Sequence, residues 1–129
     1  MKHLGDKIKV VAGVLPVDSG AATLTSADIT RDKNYEEGKA IFQVGTPSGT
    51  PDSFTATCKV KHKELAGDNY VDFATGLVLS ASGGIGTLDL DLKGAKSLLQ
   101  MEIVLAFVNG TSPKIEAASC LVYGEPKIV

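Results

Sequence analysis

The sequence predicts an all-β, single-domain fold: an antiparallel β-sandwich or small jelly-roll-like barrel of about seven or eight short strands. Three observations predict it. Apolar residues recur with period two along most of the chain and almost nowhere at helical spacing. Glycine is abundant, at 14 residues, and Thr, Ser and Val are frequent, a composition suited to turns and strands. Turn-forming clusters separate the apolar runs, as in Gly45–Pro51, Ala66–Asn69 and Ser80–Gly84.

Ile8–Leu15 reads as a weak strand that ends at Pro16, and Ala22–Thr25 as a short one. Thr30–Gly38 is polar, with room for one helical turn. Lys39–Val44 is a strand. Ser53–Lys63 is the clearest: Phe54, Ala56, Cys58, Val60 and His62 fall on one face, and Thr55, Thr57, Lys59, Lys61 and Lys63 on the other. A short strand is expected around Tyr70–Ala74. Ile85–Leu92 alternates again, with Leu88, Leu90 and Leu92 inward and Thr87, Asp89 and Asp91 outward. Leu98–Val108 is apolar on both faces in its second half, which marks a central strand or one whose outer face meets another subunit. Lys114–Tyr123 follows the loop Asn109-Gly110-Thr111-Ser112-Pro113, and the two runs are expected to form a hairpin.

At 129 residues, with 43% hydrophobic and 22% charged residues, the chain is sized for one domain over 1–129 with a packed core. Within it, 1–20 reads as an extended N-terminal arm and 125–129 as a C-terminal tail. The net charge of −2 gives no basic footprint for nucleic acid. Three Tyr, four Phe and no Trp are too few for a stacking platform. Asp6 and Lys7 interrupt the start before any apolar stretch of useful length, so no secretory signal is expected. Ile103–Val108 is the longest strongly apolar core, far short of a membrane helix. The chain is therefore expected to be soluble and made in the cytosol, with Cys58 and Cys120 as buried free thiols.

No stretch carries a reaction. Gly83-Gly84-Ile85-Gly86 precedes a strand, where a dinucleotide loop needs a strand before it and a helix after, so it reads as a turn. Asp89 and Asp91 stand about 7 Å apart on one strand face, without the spacing of a calcium loop, and read as solvated. His3 and His62 lack the neighbouring ligands that zinc requires. No serine sits in a nucleophile elbow. Neither enzyme activity nor a cofactor is expected. The stripe Lys59, Lys61, Lys63 reads as protection of a strand edge or as a dock for an acidic partner surface.

Three stretches resemble a family of small proteins encoded beside the major capsid protein in tailed bacteriophage and prophage genomes. The first is Thr23-Leu24-Thr25-Ser26-Ala27-Asp28-Ile29. The second is Tyr35-Glu36-Glu37-Gly38-Lys39-Ala40-Ile41-Phe42-Gln43-Val44-Gly45, close to the family's G-Y-E-x-A-x-F-x-V-x-x-G. The third runs from Asp89-Leu90-Asp91-Leu92 through Lys96 to Leu121-Val122-Tyr123-Gly124-Glu125-Pro126. Lys59–Leu65 departs from the pattern, since many members carry an acidic, Ser-rich turn there. The resemblance implies a virion structural protein, a capsid decoration or auxiliary protein that binds the outer lattice and stabilises neighbouring major capsid subunits. It implies two partners: the major capsid protein, and further copies of the chain itself, as a trimer. No nucleic acid or membrane partner is expected. The location implied is the capsid surface, after synthesis in the host bacterial cytoplasm. The residues expected to bind partners are Met1, Lys2, His3 and Leu4 of the arm, Lys59, Lys61 and Lys63 of the stripe, and Lys127, Ile128 and Val129 of the tail. The alternative reading is a tail, neck or head-completion protein, and a further one is a carbohydrate- or receptor-binding β module.

Overall fold

A computed structural model describes residues 9–124. Ten strands form two antiparallel sheets of five. They are β1 (Lys9–Ala12), β2 (Val17–Ser19), β3 (Ala22–Thr25), β4 (Ile29–Thr30), β5 (Glu37–Val44), β6 (Ser53–Lys63), β7 (Val71–Leu79), β8 (Ile85–Asp91), β9 (Leu98–Val108) and β10 (Ile115–Tyr123).

The first sheet runs β1–β10–β5–β8, with β2 also on β10; the second runs β3–β9–β6–β7, with β4 also on β9. Gly13–Pro16 separates β1 from β2, and Ser26–Asp28 separates β3 from β4, so each pair fills one position at a sheet edge. Counted that way, each sheet has four positions, and their order is that of an eight-position jelly roll. The sandwich expected from the alternation is therefore present. The strands number ten because the edge positions are broken and because β2 and β4 are too short to show a period.

The core lies between the sheets. Ala40, Phe42 and Val44 of β5 and Ile115, Ala117, Leu121 and Tyr123 of β10 face Phe54, Ala56, Cys58 and Val60 of β6 and Leu99, Met101, Ile103 and Leu105 of β9, all nearly inaccessible. The period-two pattern of β6 predicts its buried set through Val60. Each fully buried Val, Leu, Ile, Met or Phe among them contributes about 1.5–3 kcal/mol.

Two expectations give way to the structure. Leu98–Val108 and Ile115–Tyr123 do not pair as a hairpin. Both edges of β9 are already taken, by β6 and by β3 and β4, so the loop carries the chain across to the other sheet, where β10 pairs β5. Asn109, Gly110 and Ser112 all adopt positive φ in that crossing. Thr111 N–H donates to Gly49 O (2.8 Å), which fastens the crossing to the Gly45–Pro51 loop. The segment Thr30–Gly38 holds a tight turn rather than a helical one: Asp32 Oδ1 accepts Asn34 N–H and Asp32 O accepts Tyr35 N–H. The only helical turn among the described residues is 3₁₀, Leu92–Gly94, with Leu92 buried beneath it. The expected strand at Tyr70–Ala74 runs on to Leu79, with two register shifts where β7 passes Cys58–Lys61.

Candidate interaction surfaces

The lysine stripe of β6 lies on the outer face of the second sheet, beside the central strand β9. Register places Glu102 directly across from Lys59. Lys61 Nζ stands 3.0 Å from Glu102 Oε2, and Lys59 Nζ 3.9 Å from Oε1 and 3.2 Å from Asp72 Oδ1 on β7. The lysine stems cover the acid, whose side chain is 9% exposed. Lys63 shares their outward register yet is buried. The turn after β6 folds back over it, so its amine donates to Ala66 O (3.0 Å) and sits 4.3 Å from the Tyr70 ring centre. Tyr70 O–H in turn donates to Asp28 Oδ1. Burial, followed by that bond to a carboxylate, pushes the phenol well above its ordinary pKa. Lys59 and Lys61 thus sit together on the open face with an acid between them, and Lys63 holds a loop. Met1, Lys2, His3, Leu4, Lys127, Ile128 and Val129 lie outside the described residues.

His62 is half-buried at the end of β6. Its ring packs on Phe73 at 4.7 Å, and its Nδ1 accepts the Lys96 N–H at 3.1 Å. Burial, then the charge of Lys96, lowers its pKa below the ordinary 6.5, which keeps Nδ1 unprotonated as that bond requires. Cys58 and Cys120 are both free thiols. Cys58 is buried as expected, whereas Cys120 is only half-buried, because it faces outward from β10. Burial pushes the Cys58 thiol up to about 12.

Asp89 and Asp91 face outward from β8. Lys39 Nζ is 3.4 Å from Asp89, and Asp91 accepts the Lys93 N–H, capping the 3₁₀ turn. Gly83 has φ +69° and donates to Gly45 O, as a turn would. Among the described residues no three His, Cys, Asp or Glu side chains are grouped to hold a metal ion.

Sequence reading missed two features. One is Glu102, an acid in an otherwise apolar run; strand register alone would have set it opposite Lys59. The other is the outer face of the first sheet. Its register rows are Val10, Val122, Lys39 and Asp89; then Ala12, Cys120, Ile41 and Thr87; then Ala118, Gln43 and Ile85. The last two rows carry no charge. Val10 and Ile85 are each 63% exposed. A trough of about 750 Å³ lies at one end, lined by Glu37, Lys39, Asp89, Asp91, Lys93 and Val122. A smaller one of about 220 Å³ lies at the other, lined by Gly45, Glu116 and Ala118 among others. The signal was the outward register of β10, where Ala118, Cys120 and Val122 are apolar beside an equally apolar inward register.

No protein-family model matches the sequence. No curated protein matches it either. Solved structures do. A chain in the structure of infectious bursal disease virus Gx strain is similar with a TM-score of 0.55 and 11% identity, over 91% of this chain and 32% of that one. This chain therefore spans about a third of the length of the one it matches. The SPBc2 prophage-derived protein YomS is similar with a TM-score of 0.47 and 10% identity, over 89% and 94% of the two chains. A chain described as "CBM4 structure and function" is similar with a TM-score of 0.45 and 12% identity, over 96% and 81%. At this identity the first likeness is one of fold, and it agrees with the two-sheet order derived from the strand pairing.

Proposed function

We propose that this chain is a virion structural protein, a capsid decoration or auxiliary protein that sits on the outer lattice and ties neighbouring major capsid subunits together without catalysing a reaction. One observation carries the reading: a jelly-roll sandwich whose likeness to a chain in a virus structure extends over 91% of its length. The resemblance of the Thr23–Ile29, Tyr35–Gly45 and Asp89–Pro126 stretches to phage head proteins supports it and supplies the finer assignment.

In this reading the protein acts by linkage. A subunit that binds the assembled shell and not its dispersed subunits stabilises assembly by mass action. Many weakly held copies on one lattice then act together. Its partners are the major capsid protein and further copies of itself, grouped as trimers, with Met1–Leu4 and Lys127–Val129 among the partner-binding residues. Its place is the capsid surface, after synthesis in the bacterial cytoplasm.

The test is to add purified protein to shells assembled from the major capsid protein of the same genome, and to measure copies bound and the shell's melting temperature. Occupancy in proportion to the capsid subunits, with a raised melting temperature, is the expected result. Occupancy limited to a single small ring would move the protein to the neck or tail. Absence of binding would overturn the reading.

A further inference from the structure

We propose that the outer face of the β1–β10–β5–β8 sheet is the docking face, and that its partner is a protein surface with an apolar centre and two lysine or arginine side chains set roughly 20–25 Å apart. This inference rests on the capsid-binding reading and adds to it which face is used and what chemistry meets it.

The centre of the face is uncharged across all four strands. Ala12, Cys120, Ile41 and Thr87 form one row, and Ala118, Gln43 and Ile85 the next, with Val10 beside them. Ala118 and Cys120 on β10, half-buried Ile41 on β5 and exposed Val10 and Ile85 at opposite edges make a largely apolar floor. A solvated sheet face usually alternates to polar residues. The corresponding row of the other sheet, Thr23, Val104, Thr57 and Val78, is half polar, whereas only Gln43 and Thr87 are polar in the two rows here.

Charge then selects the occupant. Asp18, Glu37, Asp91 and Glu116 border the floor, all exposed, and no described cation lies within ion-pair distance of any of them. Both depressions on the face carry these acids: Glu37 and Asp91 at one end, where Asp89, Lys39 and Lys93 also line the trough and three acids outnumber two lysines, and Glu116 at the other. Gly38 and Gly124 are among the residues lining the first and Gly45 among those lining the second. The other sheet is the poorer match for a charged partner, because Lys59 and Lys61 are already engaged by Glu102 and Asp72.

The same charges disfavour other occupants. Nucleic acid and anionic lipid meet exposed carboxylates at both ends, none of them in an ion pair with a described cation. A second copy docked across a two-fold axis perpendicular to the strands, so that opposite ends meet, sets Glu37 and Asp91 against Asp18 and Glu116. In plan the face covers on the order of 400 Å², about half the usual contribution of one partner to a stable complex. Each copy therefore holds weakly alone, as expected for a protein that relies on a lattice.

The test uses the same capsid shells and three proteins: the wild type, Glu37→Lys with Glu116→Lys, and Thr55→Lys with Thr57→Lys on the opposite sheet. All four positions are exposed, and matching melting temperatures confirm that each variant folds. The expected result is about tenfold or greater weakening for the Glu37/Glu116 variant, near-wild-type binding for the threonine variant, and wild-type affinity that falls with salt. If the wild type binds but the Glu37/Glu116 variant binds equally, or if wild-type binding ignores salt, this inference falls and the capsid reading stands. If the wild type binds no shell, both fall. Self-association in sedimentation that Ile41→Asp abolishes would assign the face to a second copy and overturn the proposal.

Discussion

Lys61 Nζ lies 3.0 Å from Glu102 Oε2, across the β6–β9 register, and the side chain of Glu102 is 9% exposed on a face that otherwise meets solvent. Lys59 approaches the other carboxylate oxygen. The acid is thus covered by its own counter-ions. Replacing Glu102 with Ala should cost about 2 kcal/mol, between the value of an exposed pair and that of a fully buried one. A urea-unfolding double-mutant cycle with Lys61→Ala reads the coupling directly. Additive losses in the two single variants would mean that the pair does not interact.

Gly49 and Gly76 both adopt positive φ, at 78° and 101°, but only Gly49 is crowded. A Cβ at Gly49 would stand within 3 Å of Thr111 O and of Pro113 Cα, whereas one at Gly76 meets nothing within 4 Å. Gly76→Ala should cost about 1–2 kcal/mol from backbone strain alone. Gly49→Ala should cost clearly more, because it also pries the Gly45–Pro51 loop from the inter-sheet crossing. Equal losses in thermal unfolding would contradict that clamp.

His62 makes stability depend on pH in the mildly acid range. Its folded pKa lies below the unfolded value of 6.5, so the unfolded chain takes up the proton first as pH falls. The contribution is complete above pH 6.5 and is lost as pH drops through the folded pKa. Unfolding free energy should decline across that window in the wild type and flatten there in His62→Gln. Nuclear magnetic resonance should show the Lys96 amide moving with the same titration, since its acceptor is Nδ1.

The two thiols should differ sharply in reactivity. Cys58 is buried and its pKa is pushed up to about 12, so almost no thiolate forms at neutral pH. Cys120 is half-buried on the outer face of the first sheet. Iodoacetamide should therefore label Cys120 in the native protein and Cys58 only after unfolding, as mass spectrometry of the digest can check. Comparable native labelling would mean that the β6 core opens far more often than its packing implies.

Most of the fold was legible in the alternation. The inward set of β6 from Phe54 to Val60, the outward acids of β8 and the central place of β9 all follow from side chains facing opposite sides of a strand at every step. The turn chemistry at Asn109-Gly110 was also legible, but its destination was not. Positive φ turns the chain equally well into a hairpin or across a sandwich, and the choice depends on whether the preceding strand has a free edge. β2 and β4, at three and two residues, are shorter than any period that sequence can display. At the candidate surfaces, the lysine stripe was visible and its neutralisation was not, because Glu102 lies some forty positions away along the chain. The apolar outer face went unnoticed for a related reason: small residues such as Ala12, Ala118 and Cys120 look neutral until pairing sets them side by side.

The strand order has a kinetic consequence. Among the described strands, only β6 and β7 are consecutive and pair with each other; β1 must find β10, and the Val14 amide reaches a hydroxyl 105 positions away in Ser119. No contiguous half of the polypeptide contains either sheet. Severing the chain anywhere between β2 and β9 therefore strands incomplete edges on both fragments, so the pieces should not fold apart from each other. The intact chain must close long loops before most of its ladders gain anything, which places its folding among the slow, millisecond-to-second β proteins.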